Sequence, residues 1–399
     1  MHPSRTIARG RVEAFPLGAS VTLEQLDVDP HPVIARLRER EPVSWVGVLD
    51  AWYVTRRDLA LRVVRDPALF TVDDPRFSTA RVIGRSMLSV DGEEHARHRS
   101  PFARPFRLDA VRARFEALVE REVDRLIDGI EPAGRAELRR SLAGPLAVRS
   151  MVHALGLGDT DPATVLGWYD AIVSAVTDIT AGRPPGDLGA EAFERLRAAV
   201  EPALARDPST SLVAAAARDA GGLTSAEVVS NAAVLLFGGI ETTEGMIANA
   251  LLQLLSSADQ RALVDRDPGL LHGAVEESLR LEPAAAVVDR FATQDVELGG
   301  AAIRQGELVT VSIAGANRDP GTFTDPDRFD VRRTNAQLHL AFAQGPHVCL
   351  GMHLARMQTQ TAVRRSLSRL PGLRLDPERP SVVRGLVFRK PRELHVRWG

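Results

Sequence analysis

The 399-residue chain has a single cysteine, Cys349, set in Phe342-Ala343-Gln344-Gly345-Pro346-His347-Val348-Cys349-Leu350-Gly351, a stretch that reads as a loop turning into a helix. One thiol forms neither an internal disulfide nor a multi-cysteine zinc or iron–sulfur site, so its strong chemical roles reduce to nucleophile or single axial metal ligand. Three features favour the ligand. Gly345 and Gly351 let backbone pass close to a flat cofactor, Phe342 supplies an apolar wall, and N–H groups at the start of the following helix stabilise a thiolate. With 13 Phe, 31 Gly and 1 Cys in the chain, the spacing F-x-x-G-x-x-x-C-x-G is expected by chance on the order of 10⁻⁴ times per sequence. A small buried hydrophobe is the better reading of a cysteine without such neighbours.

A second set of reactive types lies in the middle of an unusually long predicted helix, Ser225 to Leu255, which carries Phe237-Gly238-Gly239-Ile240-Glu241-Thr242-Thr243. Two glycines inside a helix cost roughly 1 kcal/mol each relative to alanine, so something must use the missing side chains. Gly238 and Gly239 open room for a diatomic above a metal, and the Thr242 hydroxyl breaks the local ladder and donates a hydrogen bond. Glu241 beside Thr242 makes an acid–alcohol pair. Splitting a bound dioxygen takes two protons, and a hydroxyl backed by a carboxylate is a relay for them. A packing pair of glycines with a surface glutamate accounts for the same residues without chemistry. Glu277 and Arg280, in Glu277-Ser278-Leu279-Arg280, share a helix face at i,i+3, a spacing that any solvated helix can show.

The elements that must carry these residues are mostly helical. Val111, Phe115, Leu118, Val119, Val123, Leu126, Ile127 and Ile130 recur at helical intervals, and similar patterns cover 146–155, 163–176, 190–205 and 270–281. Strand signals are short: Trp52 to Thr55, the turn-linked pair Val296-Glu297-Leu298-Gly299-Gly300 and Leu308–Ile313, and Leu386-Val387-Phe388. Pro184-Pro185-Gly186 reads as a loop between helices, and no repeat or low-complexity segment divides the chain. We therefore expect one mixed domain over residues 1–399, mainly α with small β-sheets. Gly156-Leu157-Gly158 begins like a dinucleotide loop, but Asp161 stands where the third glycine belongs, so no nicotinamide or flavin site is expected.

A formal net charge of −2, with 44% hydrophobic and 26% charged residues, excludes a global polycation for nucleic acid. Met1 to Ser20 lacks the apolar core of a signal peptide, and no run approaches ~18 apolar residues. The expectation is a cytoplasmic protein with no membrane anchor, and a lone cysteine agrees with a reducing compartment.

The Gly-Gly-x-Glu-Thr helix, the Glu-x-x-Arg pair and the cysteine loop, met in this order along a chain that matches over nearly its whole length, resemble the cytochrome P-450 family, the soluble bacterial haem-thiolate monooxygenases. That resemblance implies the family fold with a long central helix over haem b (iron protoporphyrin IX), Cys349 as the iron ligand, and Phe342, Gly345, Gly351, Gly238 and Gly239 around the cofactor. It implies cations for the two haem propionates: His95 and Arg99 of Asp91-Gly92-Glu93-Glu94-His95-Ala96-Arg97-His98-Arg99, together with Arg290 and His347, where many relatives have arginine. Glu277 and Arg280 become a buried network closed by the arginine of Pro326-Asp327-Arg328-Phe329, with the structural role of holding the cysteine loop. Glu241 in place of the commoner aspartate, and Ala343 after Phe342, are minor departures.

The implied activity is insertion of one atom of dioxygen into a small molecule, with Glu241 and Thr242 catalytic and the thiolate favouring O–O cleavage. A place in secondary metabolism or catabolism follows by the same analogy. No reductase is visible in the chain, so electrons are expected from NAD(P)H through a separate ferredoxin reductase and ferredoxin. That ferredoxin would dock near Arg104, Arg107, Arg112, Arg114, Arg332, Arg356, Arg364 and Arg365. By analogy the pocket is lined by Asp73 to Leu88, the Trp168 region, Leu235, Gly238, Ala285 to Val288 and Leu386–Val387, which suits a bulky apolar or aromatic molecule. Arg76, Arg81 and Arg85 offer a site for a substrate carboxylate or a solvated loop. The expected state is a monomer. The alternatives are a same-fold oxidation (ring coupling, desaturation, nitration or peroxygenation) and a haem gas sensor or carrier, which has no use for a proton relay.

Overall fold

The computed structural model describes residues 10–399 apart from 159, 181–182, 185, 208–210 and 219–221. The first residues of the Met1–Ser20 segment, and Pro185 of the expected inter-helix loop, lie outside the described residues. The chain divides into two compact units: Met1–Thr71 with Ala248–Cys349 and Arg374–His395, and Val72–Ile247 with Leu350–Leu373 and Val396–Gly399.

The first unit is built around a five-stranded sheet in the order Val43–Val46, Ala51–Val54, Leu308–Ser312, Val287–Ala292, Phe70–Thr71. Its pairings are antiparallel except where Ala51–Val54 runs parallel to Leu308–Ser312, with Trp52 opposite Val309. Trp45, Trp52, Val54, Val63, Phe70, Val309, Val311 and Leu340 form one apolar cluster on it. Two of these strands escape a pattern search for physical reasons. Val43-Ser44-Trp45-Val46 is buried at every position, so no alternation survives, and Val287–Ala292 carries Asp289-Arg290 in its middle. Val296–Leu298 and Leu308–Ser312 are strands as expected, but they are not partners: Val296–Leu298 turns at Gly299-Gly300 directly onto Ala301–Ile303, a strand too short to show in the pattern, while Leu308–Ser312 joins the five-stranded sheet. Leu386-Val387-Phe388 does not form a strand. The paired strands are Val383–Arg384 and Lys390–Pro391, and the segment between them is their turn, with Phe388 bridging Ala285.

The second unit is helical. Helix Leu108–Asp128 buries Val111, Phe115, Val119, Val123, Leu126 and Ile127, the stripe expected from their spacing, and packs along helix Met352–Arg369. Glu120 of the first accepts from Arg365 Nε of the second at 3.0 Å and also pairs with Arg364. Helices Pro162–Thr180 and Asp187–Leu204 pack on each other, and Leu212–Arg218 packs on Gly92–Ala103. The long helix runs over 32 residues, Ser225–Ser256, without interruption by its two glycines.

Candidate active site

The cysteine loop is held by its own backbone. Cys349 N–H donates to the Phe342 carbonyl at 2.8 Å, Val348 N–H to Gly345 O at 3.1 Å, and Ala343 N–H to Leu340 O at 2.8 Å. These bonds curl Phe342 to Cys349 into a compact turn whose thiol is exposed and which precedes helix Met352–Arg369. Gly345 has φ 76°. A Cβ there would lie 2.5 Å from the Val64 carbonyl oxygen and 3.0 Å from Arg65 Cα, so the glycine is required both by conformation and by the close approach of that chain. Ala343 also lies in the left-handed region, at φ 55°, a conformation costing a non-glycine residue roughly 1–2 kcal/mol. The phenyl ring of Phe342 is buried, its centroid 5.7 Å from that of His339.

A buried ion-pair network holds this loop from behind. Arg280 lies across Glu277 in a two-pronged contact, Nε to Oε2 at 2.7 Å and Nη2 to Oε1 at 2.8 Å, with both side chains fully buried. Such a pair tolerates burial only when its remaining donors and acceptors are met. They are met here: Arg280 also donates to the carbonyls of Asn317 (3.0 Å), Pro326 (2.7 Å) and Arg328 (3.1 Å). The arginine that closes the network is Arg333, whose Nε reaches Glu277 Oε1 at 2.9 Å, and not Arg328. Arg328 contributes only its carbonyl, because its side chain is exposed. The Asn317 side chain carries the brace onward, its Oδ1 accepting from Leu340 N–H at 2.6 Å, one bond from Ala343.

On the long helix the two glycines differ. Around a Cβ built on Gly238 nothing lies within 4 Å, whereas one on Gly239 would fall 2.3 Å from Met151 Sδ. Gly238 therefore leaves open space, and Gly239 admits the helix Gly144–Ala154 that carries Met151. The Thr242 hydroxyl returns to the Gly238 carbonyl, the back-bond that loosens a helix locally. One residue earlier, Glu241 Oε2 accepts a hydrogen bond from the Tyr169 hydroxyl at 2.9 Å. Tyr169 lies next to the expected Trp168 region, and pattern reading missed it. It is one of only two tyrosines in the chain, and its place on the apolar stripe of its helix with Val165, Ile172 and Ala175 is the signal that could have exposed it.

His95 and Arg99 lie on helix Gly92–Ala103, where His95 is buried and Arg99 half-buried. The helix is fixed by a network that motif reading did not reveal. Fully buried His98 accepts at Nδ1 from the Asn231 amide (3.0 Å), which places its ring proton on Nε2, 3.2 Å from Glu94 Oε1. Asn231 also takes the Met87 N–H at 2.7 Å, tying the segment before this helix to the long helix. Glu94, His98 and Glu227 offer three ligand atoms within 4.8 Å of one another, but the Arg97 guanidinium bonds both carboxylates and already supplies the cation. Its hydrogen bond holds Glu227 down at about 2.

Arg290 is buried on strand Val287–Ala292, its Nη1 on the Asp289 carbonyl at 2.7 Å. Burial pushes the Asp289 carboxyl up, against the Thr310 hydroxyl that donates to it and the charge of Arg290. His347 is half-buried in the cysteine loop. In the Asp73–Leu88 segment Arg76 pairs with Asp74 and Arg85 with Asp73, so these two guanidiniums already have carboxylate partners within the loop.

The residues present fit a haem. In the first unit the exposed lone thiol sits on a turn closed by Gly345; in the second, taken by itself, Gly238 leaves unfilled space beside a threonine hydroxyl. Comparison with known proteins agrees. Residues 269–386 match the family model Cytochrome P-450. The chain is 36% identical over 384 residues to the cytochrome P-450 monooxygenase PikC of Streptomyces venezuelae, covering 93% of this chain and 91% of PikC. It is 36% identical over 420 residues to nocardicin C N-oxygenase of Nocardia uniformis subsp. tsuyamanensis, covering 98% and 100%. The crystal structure of CalO2 superposes with a TM-score of 0.83 at 31% identity, over 93% of this chain and 96% of that one. The chain belongs to the cytochrome P-450 family. It has that family's fold and is a haem-thiolate monooxygenase that uses dioxygen.

Proposed function

We infer that Cys349 is the thiolate ligand of haem b, and that the enzyme inserts oxygen into a bulky apolar or aromatic small molecule of secondary metabolism. When bound, the thiolate-ligated haem supplies activation of dioxygen. The chain supplies position and protons. His95, Arg99, Arg290 and His347 would hold the propionates, and Phe342, Gly345 and Gly351 would line the cofactor beside Cys349. On the long helix, Gly238 and Gly239 keep the helix face clear. Thr242 Oγ1 presents a proton, and Glu241 resupplies it. The small side chains of the run Ala284-Ala285-Ala286 favour a pocket with room for a large substrate.

The observation that carries this reading is the pairing, on one helix, of the open space at Gly238 with the Thr242 hydroxyl bonded to that residue's own carbonyl. A gas sensor or carrier would not benefit from such a relay. The name of nocardicin C N-oxygenase adds a second reading, oxygen insertion at nitrogen, within the same chemistry. Electrons come from NAD(P)H through a ferredoxin reductase and a ferredoxin that recognises arginines on the cysteine side. Because Arg364 and Arg365 are engaged by Glu120, the exposed Arg112 and Arg332 are the better candidates. The protein acts as a cytoplasmic monomer without nucleic-acid partners. No helix among the described residues is long and apolar enough to cross a membrane.

Thr242→Ala tests the assignment: haem loading stays normal and reducing equivalents are diverted to hydrogen peroxide. Unchanged partition of electrons would contradict the role of Thr242.

A further inference from the structure

Resting on the reading that the run Ala284-Ala285-Ala286 and the turn Leu386-Val387 line the substrate pocket, we propose that Arg389 is a positioning residue for substrate size. Its guanidinium fixes the register of the turn, so that Val387 and not the larger Leu386 stands on the open side. All the residues concerned belong to the first unit. Arg389 Nε donates to Glu282 Oε1 at 2.7 Å, and its Nη1 donates to the carbonyls of Gly385 at 2.8 Å and Asp27 at 3.0 Å. Both side chains of the ion pair are buried. The backbone is tied as well: Arg389 N–H donates to the Ala284 carbonyl at 2.9 Å, and Ala286 N–H to the Val387 carbonyl at 2.8 Å. Between these bonds Ala285 bridges Phe388. The turn therefore lies directly against the alanine run, which begins two residues after Glu282.

The hairpin that carries the turn is too small to hold this register by itself. Its strands, Val383–Arg384 and Lys390–Pro391, have two residues each, and a short two-stranded hairpin is marginal alone. Pro391 has no N–H to add to it. A guanidinium presents several N–H donors in one rigid plane, and this one joins Glu282, the N-terminal segment and the start of the turn at once. Register matters because adjacent residues of the turn face different ways. Leu386 packs on the cluster of Val21, Leu26, Val33 and Ile34, whereas Val387 is 44% exposed. A slip of one residue brings the longer side chain to where the valine stands. A buried ion pair is a weak source of net stability, and holding this register gives it a use.

The test uses the haem-loaded protein and two probes, imidazole and phenylimidazole, which bind iron through the same kind of ring nitrogen and differ in size. Optical titration gives both affinities. Val387→Phe tests the pocket itself and should weaken phenylimidazole while sparing imidazole. Arg389→Ala should weaken phenylimidazole by about ten-fold, the worth of a misplaced methylene in an apolar pocket, with imidazole binding and haem content unchanged. Glu282→Gln should move the ratio of the two affinities in the same direction, and Arg389→Lys should recover part of the loss. If Arg389→Ala does not load haem, Glu282→Gln and Arg389→Lys carry the test. Lower stability in urea with an unchanged ratio in these variants would overturn the proposal and leave the pocket reading standing, provided Val387→Phe does change it. Equal weakening of both probes would also overturn it. If Val387→Phe leaves both affinities unaltered, the pocket reading fails, and this proposal with it.

Discussion

Arg280 and Ala343 are connected through a short run of hydrogen bonds: guanidinium to the Asn317 carbonyl at 3.0 Å, Asn317 Oδ1 to Leu340 N–H at 2.6 Å, and the Leu340 carbonyl to Ala343 N–H at 2.8 Å. The ion pair thereby fixes the start of the loop that ends at Cys349. A pair buried this deeply is a weak source of net stability. Its use here is geometric, since each of its hydrogen bonds orders a different part of the segment 317–343.

Arg333, and not Arg328, should therefore carry the closing role. Removing Arg333 takes a charged hydrogen bond from Glu277, and Arg333→Ala should lower stability by about 2 kcal/mol and shorten haem retention. Arg328→Ala, which leaves the carbonyl in place, should stay within about 0.5 kcal/mol of the parent. Urea unfolding monitored by circular dichroism and by haem absorbance separates the two.

Ala343, at φ 55°, is a strained position beside Phe342. Ala343→Gly relieves roughly 1 kcal/mol of strain against a similar entropy loss, so its midpoint should match or exceed the parent's. Ala343→Val adds a β-branched side chain where that conformation is an outlier, and should lower the midpoint and the haem content together.

Gly238 faces open space whereas Gly239 meets Met151. Gly238→Ala should raise stability by about 1 kcal/mol through helix propensity while slowing carbon monoxide binding to the reduced protein. Thermal unfolding and flash photolysis measure the two effects, and a gain in stability with unaltered binding would mean that this space is not the ligand's.

Acid sensitivity should trace in part to Glu282. Burial pushes its carboxyl up, but the hydrogen bond from His31 (2.9 Å) and the charges of His31, Arg389 and Arg318 outweigh this and bring it to about 2. A carboxyl held below its unfolded value stabilises the fold above about pH 4.5, and the contribution is lost as pH falls from there toward 2. Glu282→Gln should flatten the stability profile in that window relative to the parent, as followed by unfolding at a series of pH values.

Much of this architecture was legible in the residues. The six helical segments expected from apolar spacing are helices, because each places a one-sided stripe on a core that the chain does build. The strands at 43–46 and 287–292 were hidden, since full burial and an interior Asp-Arg pair erase alternation. The loop at 386–388 was misjudged for the converse reason: three apolar residues in a row look like a strand, yet they form the turn between two shorter ones. Glu277 and Arg280 were visible as types at a spacing, but the identity of the closing arginine depends on which way the 325–333 turn directs each side chain. Asn231 and His98 were invisible for a similar reason, as their partners are distant in sequence or belong to no motif.

The central claim is that the sulfur of Cys349 binds the haem iron. The absorption spectrum of the purified protein, reduced and treated with carbon monoxide, tests it most directly, with Cys349→Ser as the paired sample. The account predicts the long-wavelength Soret band of a thiolate-ligated haem in the parent, and its absence in the variant. A parent protein that emerges without haem, or a variant with the same band as the parent, would contradict it.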